Sequence, residues 1–317
     1  MSSYIAGRLL SAIPFLLFVL VLAFVLIRAT PGDPVSAYMA RLGGESAVSE
    51  EFIQNLRAEL GLDQPGIVQF FRYAQRVLQG DLGVSFSKNR PALTIVRQQL
   101  PFTVHLALAS ITVAVLIGIP VGIMAARRRG KPVDYISSSV AVFAYSMPNF
   151  WFGLILISIF SVQLGWFPVL GVGQPTLGSR LEHLVLPAIT LGLSQAAYIV
   201  RMTRSAMVDV LSEDYIRTAR SKGVAELRVA YKHAIRNALI PVVTVIGLTL
   251  GRALGGSAVV EILFGRIGMG SLLVESITQR DYVMTQAGVL VFAAGVFVVN
   301  LLVDITYGLL NPRIRYS

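Results

Sequence analysis

The sequence predicts an all-α integral membrane protein with six transmembrane helices. Hydrophobic residues make up 55% of the 317-residue chain and charged residues only 14%, whereas soluble domains carry about a quarter charged residues. The charges cluster between uncharged stretches that reach the roughly 20 residues a helix needs to cross a bilayer. The chain contains no cysteine, which excludes a disulfide framework, a thiolate metal site and a cysteine nucleophile.

The first predicted span covers residues 9–27, which are apolar apart from Ser11 and follow Arg8. A basic residue before an apolar run is also typical of a secretory signal peptide. This run is long for the apolar part of such a peptide, and the RATPGDP that follows offers no small-residue cleavage site. We therefore predict an uncleaved first span.

Five further spans follow along the chain. They are predicted within residues 101–126, 135–179, 184–200, 237–260 and 282–303. Residues 135–179 carry no charge and exceed the length of one crossing. Their later part, GWFPVLGVGQPTLG at 165–178, is rich in aromatic residues, glycine and proline, which predicts a loop resting at the membrane interface.

The net charge of +10 admits two interpretations. A strongly basic chain can bind nucleic acid, but Lys and Arg in membrane proteins concentrate in cytoplasmic loops. We favour the second interpretation and expect no nucleic-acid partner. The basic residues gather in 127–134 and 201–236. The basic residues of 28–98 do not bear on orientation, because a segment of that length is translocated across the membrane largely regardless of its charge. Both termini and the loop at 201–236 are therefore predicted to be cytoplasmic.

Two amphipathic helices are predicted in the outer segment between the first and second spans. In residues 50–60 apolar side chains recur at helical spacing, and Ser49 is a candidate N-cap. A second helical period runs from Ile67 to Leu78. The pair could form part of a docking surface for an extracellular partner or could cover the bundle, and periodicity favours neither. The predicted domains are 1–98 (first span plus outer helices), 99–308 (a five-helix core) and 309–317 (a cytoplasmic tail).

A polar, basic stretch at 213–241, EDYIRTARSKGVAELRVAYKHAIRNALIP, separates the fourth and fifth spans. Ser212 is a candidate cap for a helix whose first turn is acidic, as the positive end of the helix dipole favours. That helix is predicted to end near Lys222, because Gly223 suits the left-handed position after a helix. A second helix continues into the fifth span. Such an element could pass contact from a soluble partner into the bilayer or lie as a basic loop at lipid headgroups, and the residues alone leave both open.

The same stretch resembles the cytoplasmic loop, called the EAA loop, of permease subunits in ABC importers. The general family form places Glu-Ala-Ala ahead of a glycine, which is Gly223 here. The three earlier positions hold Arg217, Thr218 and Ala219, and His233 begins the part where the family has Ile-x-Leu-Pro. Only the glycine and one alanine match strictly. DYIRTARSKG and HAIRNALIP instead resemble the peptide-type subgroup, which includes dipeptide, oligopeptide, nickel and glutathione permeases.

Five more motifs extend this resemblance nearly from end to end. They are PGDP (31–34), GDLGVSF (80–86), VVEILFGRIGMG (259–270), RDY (280–282) and NPRIRY (311–316). The resemblance implies the type I ABC importer permease fold. It also implies that the loop at 205–237, called the polar loop below, couples the permease to its ATPase. The implied coupling residues are Arg217, Thr218, Ala219, Arg220, Ser221, Lys222, Gly223 and His233.

The resemblance also implies partners. They are a second permease, which we expect to be a different chain, two ATPase subunits and an extracytoplasmic binding protein, besides membrane lipid. ATP and Mg are expected on the ATPase subunits and no cofactor on this chain, which contains no G-x-x-x-x-G-K-[ST] phosphate cradle. The chain is thus expected to be a transport subunit, not an enzyme, in the bacterial cytoplasmic (inner) membrane.

Four polar residues in or beside the spans are candidates for the translocation pathway. Ionisable groups at membrane depth usually face a cavity or a partner, so Arg252 and Glu261 could interact or bind the charged termini of a peptide. Alternatively, Glu261 lies at the outer interface and Arg252 snorkels or pairs structurally. Pro148 predicts a kink beside Asn149 that frees backbone groups for the lumen. Asn300, near the cytoplasmic end of the sixth span, is also a candidate, although a hydrogen bond between helices is the simpler explanation for it.

Glycines recur at a spacing of four in two of the spans. Gly118 and Gly122 form one pair, and Gly247, Gly251 and Gly255 form a second series. Small residues at this spacing let helices approach closely. We predict a structural role for both sets.

The predicted cargo is di- and oligopeptides delivered by the binding protein. The same machine could instead import glutathione, nickel chelates, opines or sugars, because selectivity rests largely with the binding protein. A third possibility is an ion-coupled secondary transporter, which needs no ATPase. Such a carrier would be expected to show internal repeats or intramembrane ion sites, and the sequence shows no clear repeat and few membrane carboxylates.

Overall fold

The structure is a computed structural model that describes residues 2–29, 54 and 63–310. Regular structure in these residues is helical apart from one short β-hairpin. In chain order the elements are α1 (Ser2–Ala29), α2 (Gly66–Leu78), β1 (Val84–Ser85), β2 (Arg90–Pro91), α3 (Ala92–Arg127), α4 (Pro132–Ser146), α5 (Asn149–Leu156), α6 (Leu177–Leu211), α7 (Asp214–Ser221), α8 (Glu226–Arg228), α9 (Ile235–Leu263), α10 (Met269–Thr278) and α11 (Tyr282–Leu310). Two π-helical segments extend α5 and α8, namely Ile157–Gln163 and Val229–Ala234.

The described residues contain four helices long and apolar enough to cross a membrane. They are α3, α6, the continuous helix Glu226–Leu263 and Tyr282–Thr306 of α11. A fifth crossing is made if α4 and α5 count as one bent span. The first predicted span lies in α1, whose apolar run Leu10–Val25 is shorter than the others. The all-α membrane fold is confirmed, and the six predicted spans correspond to these five and α1.

The third span is broken where the sequence predicts a kink. The axes of Pro132–Ser146 and Asn149–Gln163 meet at 101°. Proline disfavours the helical conformation of the residue before it, and Met147 and Pro148 are both extended, with ψ of 132° and 129°. The backbone between this span and α6 is irregular, as expected of the predicted interface loop at 165–178.

The described chain divides into two compact units. The first, called here the bundle unit, is built on Phe102–Gly270 and includes residues 2–5 and 295–310. The second, the hairpin unit, consists of Ser271–Ala294 and the described part of Ala6–Pro101.

In the bundle unit α6 is the central helix, in contact with α4, α5 and α9. It also approaches α3 closely, because the facing positions are glycines. A Cβ placed on Gly118 or Gly122 would lie 2.6 Å from Ile199 or Thr203. The predicted packing role of these two glycines is therefore seen in the structure.

In the hairpin unit α2 packs its aromatic side chains on α1. Phe24 contacts Phe70 edge-on at 5.3 Å between ring centroids and stacks on Tyr73 at 6.2 Å. This helix corresponds to the second predicted outer helix. The first one, at 50–60, falls outside the described residues, as do PGDP at 31–34 and the tail from residue 311.

The hairpin pairs β1 with β2 in antiparallel register, with Ser85 opposite Arg90. Asp281, between α10 and α11, accepts hydrogen bonds from the hydroxyls of Ser85 and Ser87. Lys88 adds an ion pair with Glu275 of α10 at 2.9 Å. The turn of the hairpin is thereby tied to α10 and to the start of α11.

Candidate functional site

The polar loop is a folded element whose apolar side chains join the bundle core. Ile216 of α7 is fully buried, and so are Met207 of α6 and Val229 after α8. These side chains belong to one cluster that continues to Ala238 of α9. The loop is therefore packed against both helices that flank it.

The sequence prediction for the start of α7 is wrong in one respect. Ser212 does not cap α7, because α6 continues to Leu211 and Ser212 ends it. Its hydroxyl donates to the carbonyl of Asp209 at 2.6 Å. Glu213 occupies the N-cap position of α7 and makes no side-chain cap bond.

The end of α7 is closed by a Schellman motif at the predicted glycine. Gly223 has φ of +75°, in the left-handed region that glycine adopts at low cost. Its N–H donates to the carbonyl of Arg220 at 2.9 Å, and the N–H of Val224 donates to the carbonyl of Ala219 at 3.2 Å. These are the two bonds that define the motif. The chain thus turns sharply and enters α8.

The predicted coupling residues lie mostly on one exposed surface. Six of the eight are exposed, namely Arg217, Thr218, Arg220, Ser221, Lys222 and Gly223. Ala219 is half-buried and packs on the core cluster. His233 is half-buried in the π-helical segment. It therefore does not belong to the exposed surface of α7.

Within this surface Arg220 holds α7 and α8 together. Its guanidinium lies 2.7 Å from the carboxylate of Glu226 and also reaches the carbonyl of Leu211 at 3.4 Å. One side chain therefore connects the end of α6, α7 and α8.

Sequence reasoning missed three large side chains exposed on the same loop. Tyr215 is 43% exposed, Leu227 60% and Tyr231 53%. Tyr215 accepts a hydrogen bond from Asn237 at 2.9 Å. Aromatic side chains within an otherwise polar loop are the signal that could have found the two tyrosines, because aromatic residues are enriched at protein–protein interfaces.

The candidate pathway residues Arg252 and Glu261 lie on opposite faces of α9. They are nine positions apart, which is about 13 Å along the axis and half a turn around it. Glu261 is 1% exposed and accepts a hydrogen bond of 2.7 Å from Thr103. Arg252 is exposed and lies 6.0 Å from the ring centre of Tyr198. The helix thus gives the two residues different surroundings.

The two candidate asparagines, Asn149 and Asn300, lie on different helices. Asn149 is the first residue of α5, directly after the 101° bend, and is half-buried. Asn300 is exposed on α11, and its Oδ1 lies 3.4 Å from the position a Cβ would take on Gly251. Asn300 is therefore close to the turn of α9 that carries Arg252.

A group of cationic and aromatic side chains surrounds Tyr198 of α6. Arg201 lies 5.7 Å from the ring centre of Tyr198, and the ring of Tyr145 lies 6.5 Å away. These residues adjoin a cavity of about 300 Å³ between α4 and α6. The sequence does not predict Arg201 as a site residue, because the cavity that it lines depends on how α4 and α6 are rotated against each other.

The far end of this cavity is fixed by an ion pair. Arg204, which lines the cavity, binds Asp134 of α4 through two nitrogens at 2.5 and 2.8 Å. Asp134 also accepts from the backbone of Gly130 at 3.0 Å. The charge of Arg204 is thus neutralised, whereas among the described residues no carboxylate lies within 4.0 Å of Arg201.

Comparison with known proteins gives the family. Residues 118–316 match the family described as binding-protein-dependent transport system inner membrane component. Residues 1–107 match its N-terminal membrane-component family. The chain is 46% identical over 317 residues to the glutathione transport system permease protein GsiC of Salmonella paratyphi A, and 44% identical to that of Escherichia coli K12. Both alignments cover 100% of this chain and 100% of the relative.

Solved structures agree at the level of the fold. An inward-facing structure of the MetNI methionine ABC transporter superposes with a TM-score of 0.56 at 20% identity, covering 68% of this chain and 96% of the other. A second crystal form of the same transporter gives a TM-score of 0.55 at 17% identity, covering 69% and 97%. The chain therefore belongs to the binding-protein-dependent transport system inner membrane components, and it is a multi-pass permease subunit of an ABC importer, not an enzyme.

Proposed function

We propose that this chain forms half of the translocation pathway of a glutathione importer. The observation that carries the proposal is the 44–46% identity to glutathione permeases over the full 317 residues. Glutathione is the cargo that the sequence left as an alternative to general di- and oligopeptides. It is itself a tripeptide, so the peptide-type motifs agree with either cargo.

The proposed assembly follows the family's division of labour. This permease pairs with a second one, which we expect to be a different chain, above two ATPase subunits that bind ATP and Mg. An extracytoplasmic binding protein delivers the cargo. Both chain ends and the polar loop lie in the cytoplasm. The segment 1–98, the core 99–308 and the tail 309–317 act as separate parts of the subunit.

The polar loop is the proposed contact with the ATPase. Its exposed surface from Arg217 to Gly223 lies in a groove of that subunit, with Tyr215 and Leu227 as apolar contacts beside it. Closure of the ATPase dimer on ATP displaces α7. Because Ile216 packs in the core cluster shared with α6 and α9, the displacement moves these helices and opens the pathway.

Uptake of isotope-labelled glutathione tests the proposal. The complete system is expressed in cells that lack other glutathione importers, and excess unlabelled dipeptides, tripeptides and nickel chelates are added as competitors. We expect saturable uptake that glutathione displaces most strongly and that stops when either ATPase subunit is omitted. Efficient displacement by dipeptides with none by glutathione would favour the general peptide cargo instead. Concentrative uptake by this chain without ATPase subunits would contradict the coupling mechanism as well.

A further inference from the structure

The ring of Tyr198 is flanked by two guanidinium groups from different helices. Arg201 of α6 lies 5.7 Å and Arg252 of α9 6.0 Å from its centre. Both arginine side chains are exposed on the surface of the described chain. The ring of Tyr198 therefore contacts cations from two different helices, an arrangement that cation–π attraction supports.

The position of Arg252 makes this arrangement unusual. No other charged residue occurs between Arg236 and Glu261, so Arg252 lies inside the apolar run of a membrane-spanning helix. A charge at such depth is costly and normally faces a partner or a water-filled cavity. Within residues 2–29, 54 and 63–310 neither Arg252 nor Arg201 has a carboxylate within 4.0 Å.

Neighbouring groups shape the site without neutralising it. Arg204, one turn from Arg201, is bound by Asp134 and so keeps that carboxylate away from the other two arginines. Tyr145 stands on the opposite wall, 6.5 Å from Tyr198, and offers a phenolic hydroxyl. Tyr198 and Arg201 line the cavity of about 300 Å³, whereas Arg252 reaches only the ring of Tyr198. This volume is at the lower limit for small-molecule pockets, so the cavity would hold one arm of a tripeptide.

We propose that Arg201, Arg252 and Tyr198 form a carboxylate-binding site in the translocation pathway. The proposal rests on the proposed function and specifies the chemistry of the cargo, namely a peptide with a free carboxylate. Arginine presents paired N–H donors that match the two oxygens of a carboxylate. Glutathione carries two carboxylates and one ammonium group, so its net negative charge suits two uncompensated cations.

The test compares acid and amide forms of the cargo in the complete transporter reconstituted in lipid vesicles. Glutathione and its diamide, in which both carboxyl groups are converted to amides, are offered to complexes carrying Arg252→Gln or Arg201→Gln. We expect transport of glutathione to fall roughly tenfold or more, as loss of a charge-assisted hydrogen bond implies, while transport of the amide changes little. Arg252→Lys, which keeps the charge, should restore part of the loss. Arg97→Gln, at an exposed position of α3, is the matched control.

Two results would overturn the proposal. One is an equal loss for acid and amide, which would mean that Arg252 pairs with a carboxylate of the second permease. The other is unchanged transport of both. If the binding protein rejects the amide, the same comparison is made by equilibrium binding to the complex in nanodiscs without that protein.

The outcome for the unaltered complex separates this proposal from the proposed function. Failure of the unaltered complex to carry glutathione counts against the proposed cargo alone. The acid–amide comparison is then made with a dipeptide that the complex does carry. Loss confined to the acid form would still support the carboxylate site.

Discussion

Ser85 and Asp281 lie 196 positions apart in the chain and are joined by a hydrogen bond of 2.6 Å. The same carboxylate oxygen accepts from the backbone N–H of Ser87 at 2.9 Å and from its hydroxyl at 2.8 Å. The other oxygen accepts from the N–H of Met284 at 3.0 Å. One carboxylate, 1% exposed as a residue, thus holds the β-hairpin to the start of α11.

The attachment of the hairpin should be insensitive to pH until strongly acidic conditions. Burial alone would raise the pKa of Asp281, but hydrogen bonds from Ser85, Ser87 and Met284 outweigh burial and lower it. A carboxyl with a lowered folded pKa stabilises the structure above its unfolded pKa of about 3.9, and this stabilisation is lost as pH falls through the folded value. Hydrogen exchange at residues 84–91, corrected for intrinsic rates, should therefore stay slow to about pH 4 and accelerate below it.

Asp281→Asn provides the matched variant. Its NH₂ group donates where the carboxylate oxygen accepts, so the hairpin should loosen at neutral pH by about 1–3 kcal/mol. Asp63→Asn, at an exposed position, controls for loss of one negative charge. Equal protection of the hairpin in both variants would contradict the role assigned to Asp281.

Replacing Gly223 tests the coupling role of the polar loop. A Cβ there meets nothing within 4 Å in this subunit, so within the subunit the effect comes from the left-handed backbone. For an ordinary side chain that conformation costs about 1–2 kcal/mol. We expect Gly223→Val to distort the turn between α7 and α8 and to uncouple ATP hydrolysis from uptake. Both rates are measured in vesicles, alongside the amount of subunit in the membrane.

Gly223→Asn is the control for this variant. Asparagine adopts left-handed conformations more readily than valine, so it should retain most of the coupled uptake. Normal uptake per ATP hydrolysed in Gly223→Val would show that the turn is dispensable.

Ile216 should determine how firmly α7 is attached to the bundle. Ile216→Ala removes a fully buried side chain, a change that costs about 2–5 kcal/mol, whereas Ile216→Val costs about 0.5–1.5. Trypsin cleaves after Arg217, Arg220 and Lys222, which the loosened α7 would expose as extended chain. Limited proteolysis of the purified complex should therefore be much faster for alanine than for valine. Equal rates would mean that other contacts hold α7.

The close approach of α6 to α3 should make Gly192 sensitive to the smallest substitution. A Cβ at this position would lie 2.7 Å from the carbonyl oxygen of Ser110. Gly192→Ala is therefore expected to lower thermal stability in detergent, by the roughly 1–3 kcal/mol typical of overpacking.

Gly178→Ala, on the same helix, is the control for Gly192→Ala. Its Cβ meets nothing within 4 Å, and alanine favours a helix over glycine by about 1 kcal/mol. The control should leave melting unchanged or raise it. Equal melting temperatures for the two variants would rule out a tight contact at Gly192.

The sequence predicts well those features that depend on neighbouring residues. The apolar runs indicate the spans, Pro148 indicates the bend, and Gly223 indicates the end of α7, because each acts on its own stretch of backbone. The cap at Ser212 is predicted wrongly, since α6 extends to Leu211 and no local signal marks that length.

Features that join distant parts of the chain are not predictable in this way. The attachment of Ser85 to Asp281 depends on residues that only the fold brings together. The contact of Arg252 with Tyr198 depends on the rotation of α9 against α6. That rotation cannot be predicted from a single sequence. The exposed Tyr215 and Leu227 are recognisable only once the buried face of the polar loop is known.

The glycine contacts between α3 and α6 also bear on mutational tolerance. At Gly118, Gly122 and Gly192 even a methyl group would collide with a facing atom, so a saturation library should be depleted of every substitution there. Lipid-facing positions of the same helices should accept most apolar residues. The pattern of surviving variants would then trace one stripe along each helix and reveal their mutual orientation without any structure determination.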